Sequence, residues 1–161
     1  MTNNQSNGCE TWQDAATRLS TRHTKLGLIT SGDIDQLVFC APGGIIQVNR
    51  ELAAALINLP LAKRPRKASE ILDEMVSAVA APFVVLDGLE ILFEPSLEID
   101  VVPLLQQLAR SQVVFALWPG ELSGSQLSYA QLGHVEYQSY RLTGTDDIEV
   151  IPYQNFIKDS A

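Results

Sequence analysis

In FVVLDGLEILFEP, residues 83–95, four apolar residues run without interruption into Asp87, followed by Gly88 and Glu90. A strand with one wet face would alternate; an unbroken apolar run marks a strand buried on both faces. Such strands belong to parallel sheets covered by helices. VVFALW (113–118) repeats the pattern. Between the two lies IDVVPLLQQLAR (99–110), which reads as a helix, with Asp100 as its cap and Pro103 in its first turn, where a missing N–H is harmless.

Working outward, ASEILDEMVSAVA (68–80) is an amphipathic helix capped by Ser69, with Ile71, Leu72, Met75, Val76 and Val79 on one face. RELAAALIN (50–58) is a shorter helix stopped by Pro60, and GIIQVN (44–49) is a β-branched strand. KLGLIT (25–30) is a strand closed by Ser31 and Gly32. Residues 11–23 form a helix, with Trp12, Ala15, Ala16 and Leu19 at helical spacing and Asp14 in the first turn. DIDQLVFCA (33–41) fits either a short helix or a strand. PGELSGSQ (119–126) reads as a loop, with Ser123 to Ser125 as its turn. YQSYRL (137–142) and IEVIPY (148–153) read as strands, the second at an edge because of Pro152. Strands alternating with helices predict an α/β sandwich with a mainly parallel sheet. Residues 1–10 are expected to be a disordered tail and residues 11–161 a single domain.

Apolar residues make up 46% and charged residues 19% of the 161-residue chain, an ordinary soluble composition. No apolar run suits a membrane span, and the polar N-terminus lacks a signal pattern, so a cytoplasmic location is expected. Cys9 and Cys40 are read as plain thiols. The net charge of −8 is uneven: residues 1–67 carry eight Lys/Arg against five Asp/Glu, and residues 68–161 carry three against fourteen. Such a surface repels phosphodiester backbones, which argues against stand-alone nucleic-acid binding. KRPRK (63–67) is the basic exception. It reads foremost as a solvated loop, and otherwise as a contact for nucleic acid or an acidic partner.

Ligands of parallel sheets sit beyond the carboxyl ends of the strands. Thr30 to Gly32, Asp87, Gly88 and Trp118 to Glu121 follow such ends. A buried apolar strand ending in Asp has the form of a Walker B strand, with Asp87 as the candidate metal ligand and Glu90 as the carboxylate that would orient water. The phosphate loop that should accompany it, G-x-x-x-x-G-K-[ST], is absent. After the first strand the chain reads TSGDIDQ, with one glycine, no lysine and two aspartates; the alternative, CAPGGIIQ, has Ile46 and Gln47 in the places of Lys and Ser/Thr. Neither supplies the cation a triphosphate requires. His23 and His134 lack metal-ligand spacing. The late tyrosines 129, 137, 140 and 153 suit an interface or core packing.

Leu86, Asp87, Glu90, Ile91, Leu92, Phe93 and Pro95, with Trp118 to Glu121, Leu127, Tyr129, Ala130, Gly133, His134, Glu136 and Tyr137, together resemble a known family. It is the small P-loop protein of type 3 BREX phage-defence systems, often called BrxF. The resemblance runs from about residue 25 to residue 140. It implies a P-loop NTPase-like three-layer sandwich working beside a large ATPase, a DNA methyltransferase and a phosphatase-like protein. It also places Asp87 and Glu90 at the Walker B positions; with Ser31 and Gly32 as the strand-end candidates for a nucleotide contact, no cofactor is the first expectation and Mg-ATP the alternative. The family's phosphate loop is shortened here to TSGDIDQLVFCAPG (30–43). The expectation is therefore an accessory subunit that docks through Trp118, Pro119, Gly120, Glu121, Tyr129, His134, Glu136 and Tyr137, with its ATP site lost or weakened. The alternatives are a weak ATPase or nucleotide sensor of the same system, and an unrelated acidic binding module.

Overall fold

A computed structural model describes residues 12–30, 44–142 and 148–152. Its frame is a five-stranded parallel sheet built from β1 (Leu26–Thr30), β2 (Gly44–Gln47), β3 (Phe83–Asp87), β4 (Val113–Trp118) and β8 (Ile148–Pro152), in the order β2-β3-β4-β1-β8. The helices are α1 (Trp12–Ser20), α2 (Val48–Leu56), α3 (Arg64–Ser77) and α4 (Val101–Leu108). The predicted α/β class and parallel sheet are present, and β8 is an edge strand as Pro152 suggests.

Period-two alternation divides the strand residues between two cores. On one face Leu28, Ile46, Val84, Leu86, Val114 and Ala116 pack against α2, α3 and α4. On the other, Ile29, Phe83, Val85, Phe115 and Leu117 pack against α1. Trp12 anchors α1 there, stacked on Phe83 (centroids 5.7 Å apart, 12° between planes) and edge-on to Phe115 at 4.9 Å. Arg18 ties the same helix to the sheet edge, its Nε donating to both carboxylate oxygens of Glu149 in β8 at 3.0 and 3.1 Å.

Three readings of the sequence are corrected. KRPRK is not a loop: Lys63 closes a 3-10 turn (Leu61–Lys63), and α3 begins at Arg64 with Pro65 in its first turn. Proline suits that position, since the first-turn N–H groups have no helical partner. Ser69 consequently lies inside the helix and does not cap it. PGELSGSQ is not a loop either. Its residues enter β5 (Glu121–Ser123) and β6 (Gln126–Tyr129), joined through Gly124 and Ser125, and β7 (Gln138–Arg141) completes a separate antiparallel sheet, β5-β6-β7. YQSYRL is a strand, as read, and it belongs to this small sheet. The segment at 33–41 and the tail at 1–10 lie outside the described residues.

The small sheet is fastened at the end of β4. The Trp118 indole N–H donates to the Ser128 carbonyl at 3.0 Å, and its ring meets Phe93 edge-on at 5.5 Å. Phe93 in turn stacks on Tyr129, with centroids 3.9 Å apart. This closeness dictates Gly120, because a Cβ there would lie 1.8 Å from the same Ser128 oxygen. Gly120→Ala should therefore destabilise the protein by about 2–3 kcal/mol in urea denaturation, the cost of overpacking a fitted contact. Gly124→Ala, which meets nothing within 4 Å but has φ +61°, should cost only about 1 kcal/mol. Equal losses in the two variants would contradict this account of the junction.

Candidate functional site

The carboxyl ends of the parallel strands form one rim. Register places Thr30 opposite Trp118 and Gln47 opposite Asp87. With β4 between them, the backbones of Thr30 and Asp87 are about 10 Å apart, two strand spacings. Ser31 and Gly32, the expected phosphate contacts, lie outside the described residues.

Asp87 ends β3 half-buried, and among the described residues its carboxylate makes no hydrogen bond or ion pair. The ordinary explanation for an Asp at a strand end, capping the next helix, therefore does not apply. Gly88 follows in the left-handed region (φ 69°) and starts the 3-10 turn Leu89–Phe93 without a side-chain cap. A Cβ on Gly88 would approach Asn49 to 3.1 Å, so this turn is seated against the first turn of α2. Glu90 is exposed on the turn. Among the described residues no group of three or more His, Cys, Asp and Glu could hold a metal ion. Mg²⁺ bound with a nucleotide takes one or two carboxylates and completes its shell with phosphates and water, so Asp87 has the chemistry of a ligand. No Lys or Arg occurs between Lys25 and Arg50, the interval in which a phosphate loop following β1 would carry its lysine.

The second half of the signature meets the first beside Tyr129. Burial raises the Tyr129 hydroxyl pKa above its usual value, and Glu136 and Glu90 raise it further. Glu90, from the turn after β3, and Glu136, from the loop after β6, thus both act on Tyr129. The remaining predicted residues divide by exposure. Trp118 is only 3% exposed and makes its contacts inside the chain. Pro119, Gly120, Tyr129, Glu136 and Tyr137 are half-buried, while Glu121 and His134 are exposed. His134 belongs to a local turn: its Nδ1 accepts the Glu136 N–H at 3.0 Å.

Sequence reasoning missed a polar junction behind this surface. Asp100 does occupy the N-cap of α4, yet its carboxylate does not bond the helix. The Tyr140 hydroxyl stands between them, accepting the Val101 N–H at 3.0 Å and donating to Asp100 Oδ1 at 2.6 Å. Gln138 Oε1 is a second acceptor beside that proton, and Gln138 Nε2 donates to the Ile99 carbonyl at 3.2 Å. A tyrosine from β7 thus caps a helix that begins 39 residues earlier. Nothing local in the sequence signals such a contact.

No protein family, no curated protein and no solved structure matches the chain. Among the described residues no helix is long and apolar enough to cross a membrane.

Burial and the bond to Asp100 raise the Tyr140 pKa, outweighing the opposing effect of the Val101 N–H. The folded state therefore keeps a proton that the unfolded chain releases above its ordinary tyrosine pKa of about 10. This stabilisation is complete below that pH and is lost progressively above it. Tyr140→Phe should cost about 1–2 kcal/mol at neutral pH by orphaning the Val101 N–H. It should also flatten the alkaline decline in stability above about pH 10, as followed by denaturation at a series of pH values.

Proposed function

We propose that the chain is a small P-loop-like accessory subunit of a BREX-type phage-defence system, acting by docking onto other defence proteins with its ATP site lost. Under this reading the α/β architecture is a P-loop NTPase-like three-layer sandwich. The strand order β2-β3-β4-β1-β8 supports that frame. It sets β1, the strand that would lead into the phosphate loop, inside the sheet, with one strand between it and the Asp87-bearing β3. The observation that carries the docking reading is electrostatic. The interval 26–49 contains no Lys or Arg, and Asp87 and Glu90 at the end of β3 carry the same sign of charge as a triphosphate. Glu121, His134 and the half-buried Tyr129, Glu136 and Tyr137 would face the partners, with Trp118 and Gly120 holding that surface in place. The expected partners are a large ATPase, a DNA methyltransferase and a phosphatase-like protein, in the cytoplasm.

One observation favours a second reading, a weak ATPase or nucleotide-sensing subunit: the Asp87 carboxylate has no partner among the described residues and is free to take Mg²⁺. A Lys or Arg from a docked protein would then supply the missing charge.

Mg-ATP separates the two. A bound ligand must raise stability by RT ln(1 + [L]/Kd), about 2.7 kcal/mol at one hundred times Kd. The docking reading expects no change in Tm up to millimolar Mg-ATP, phage protection retained in Asp87→Ala, and capture of at least one of the three defence proteins. A Tm that climbs with Mg-ATP concentration overturns the lost site, and failure to capture any of the three overturns the docking role.

A further inference from the structure

Four large apolar side chains stand out in solvent among the described residues: Ile57 at 70% exposure, Leu61 at 69%, Leu132 at 84% and Val135 at 81%. They fall into two pairs, and the pairs have opposite electrostatic surroundings.

Leu132 and Val135 are carried by an ordered loop. The His134 N–H donates to the Gln131 carbonyl at 2.9 Å and the Tyr137 N–H to the His134 carbonyl at 3.0 Å, giving two successive turns with the apolar side chains outward. The loop is entered through Ala130 at φ 64°, a left-handed conformation costly for a residue with a Cβ. Acidic groups surround it: Glu136 within it, Glu90 across Tyr129, and Glu121, which pairs with Ser128 on the neighbouring strand. Arg110 is the sole Lys or Arg between Lys67 and Arg141.

Ile57 and Leu61 flank the opposite kind of surface. Just after them lies a groove of about 580 Å³ lined by Ala62, Pro65, the basic Lys63, Arg66 and Lys67, and the acidic Glu70 and Glu98. Arg64 is engaged with the Leu59 carbonyl at 3.1 Å, and Lys67 with Glu70 at 3.4 Å. The side chains of Lys63 and Arg66 make no hydrogen bond or ion pair among the described residues. They also stand at the N-terminus of α3, whose first turn holds no acidic residue, so the helix dipole adds to their field rather than offsetting it.

We infer that these two surfaces bind each other between copies of the chain, the 130–137 loop of one copy seated in the 62–67 groove of the next. Leu132 and Val135 meet Leu61 and Ile57, and Glu136 meets Lys63 or Arg66. The contact is heterologous in each copy, an apolar pair in an acidic setting against an apolar pair in a basic one. Nucleic acid fits the groove less well, because phosphodiesters offer nothing to Ile57 and Leu61, and the rest of the chain repels them. Self-association is measured on the protein alone, so it stands or falls independently of the defence role.

The test is sedimentation of the full chain over a concentration series, with two variants, Leu132→Asp and the pair Lys63→Glu with Arg66→Glu. The wild type should show association that rises with concentration and weakens as salt is added. Each variant alone should bind itself about tenfold or more weakly. A one-to-one mixture of the two variants should form a heterodimer, since one retains the groove and the other the loop. Far-UV circular dichroism confirms that each variant is folded. A wild type that stays monomeric throughout, variants that associate like the wild type, or a mixture that forms no heterodimer would overturn the inference. So would binding of a duplex oligonucleotide by the groove with no self-association.

Discussion

Every residue of β4 is buried, from Val113 to Trp118, and the rest of the molecule is arranged around that strand. Its alternate side chains enter both cores: Val114 and Ala116 face α2, α3 and α4, while Val113, Phe115 and Leu117 face α1. Full burial of a large apolar side chain is worth roughly 1.5–3 kcal/mol, so few positions contribute as much per residue. Its last residue couples the two sheets. Trp118 gives its indole N–H to Ser128 and its ring to Phe93, which brings the small sheet to the end of the parallel one. The rim where a ligand would sit is therefore occupied on one side by the protein's own second sheet.

That arrangement gathers acid at one end. Asp87 ends β3 and Glu90 follows it, Glu121 opens β5, and Glu136 acts on Tyr129 as Glu90 does. In a parallel-sheet protein this is where ligands bind, and the carboxylates Asp87, Glu90, Glu121 and Glu136 outnumber the basic residues nearby, Arg50 in the first turn of α2 and Arg141 in β7. The densest run of basic residues is 63–67, at the start of α3. On the proposed reading, the apolar exposure divided between an acidic loop and a basic groove serves protein contacts. A partner seated on the 130–137 loop would compete with a second copy for it.

The parallel sheet was legible because β3 and β4 are apolar at every position, a pattern few other environments tolerate. Helix α1 was legible from the spacing of Trp12, Ala15, Ala16 and Leu19, all four of which are buried. The start of α3 was misread because Lys, Arg and Pro together resemble a turn; Pro103 was placed in a first helical turn because Asp100 precedes it as a cap, whereas Lys63 before Pro65 is no capping residue. The hairpin Glu121–Tyr129 was missed because its strands are short, polar and largely exposed, held by pairing and by Trp118 rather than by periodicity. Of the candidate site, Asp87, Glu90 and the exposed loop residues were visible. The Tyr140–Asp100 cap and the apolar pair Leu132 and Val135 were not.

By itself the sequence determined the α/β class, the doubly buried strands, the sign of the charge on each half and the missing cation after β1. These are properties of composition and of short-range order, so they survive without coordinates. Only the tertiary structure decided that Glu90 and Glu136 share one tyrosine, that Trp118 is an internal fastening, and that Tyr140 caps α4. Each of those joins residues separated by roughly ten to fifty positions, and such pairings depend on how the two sheets dock, which no local pattern encodes.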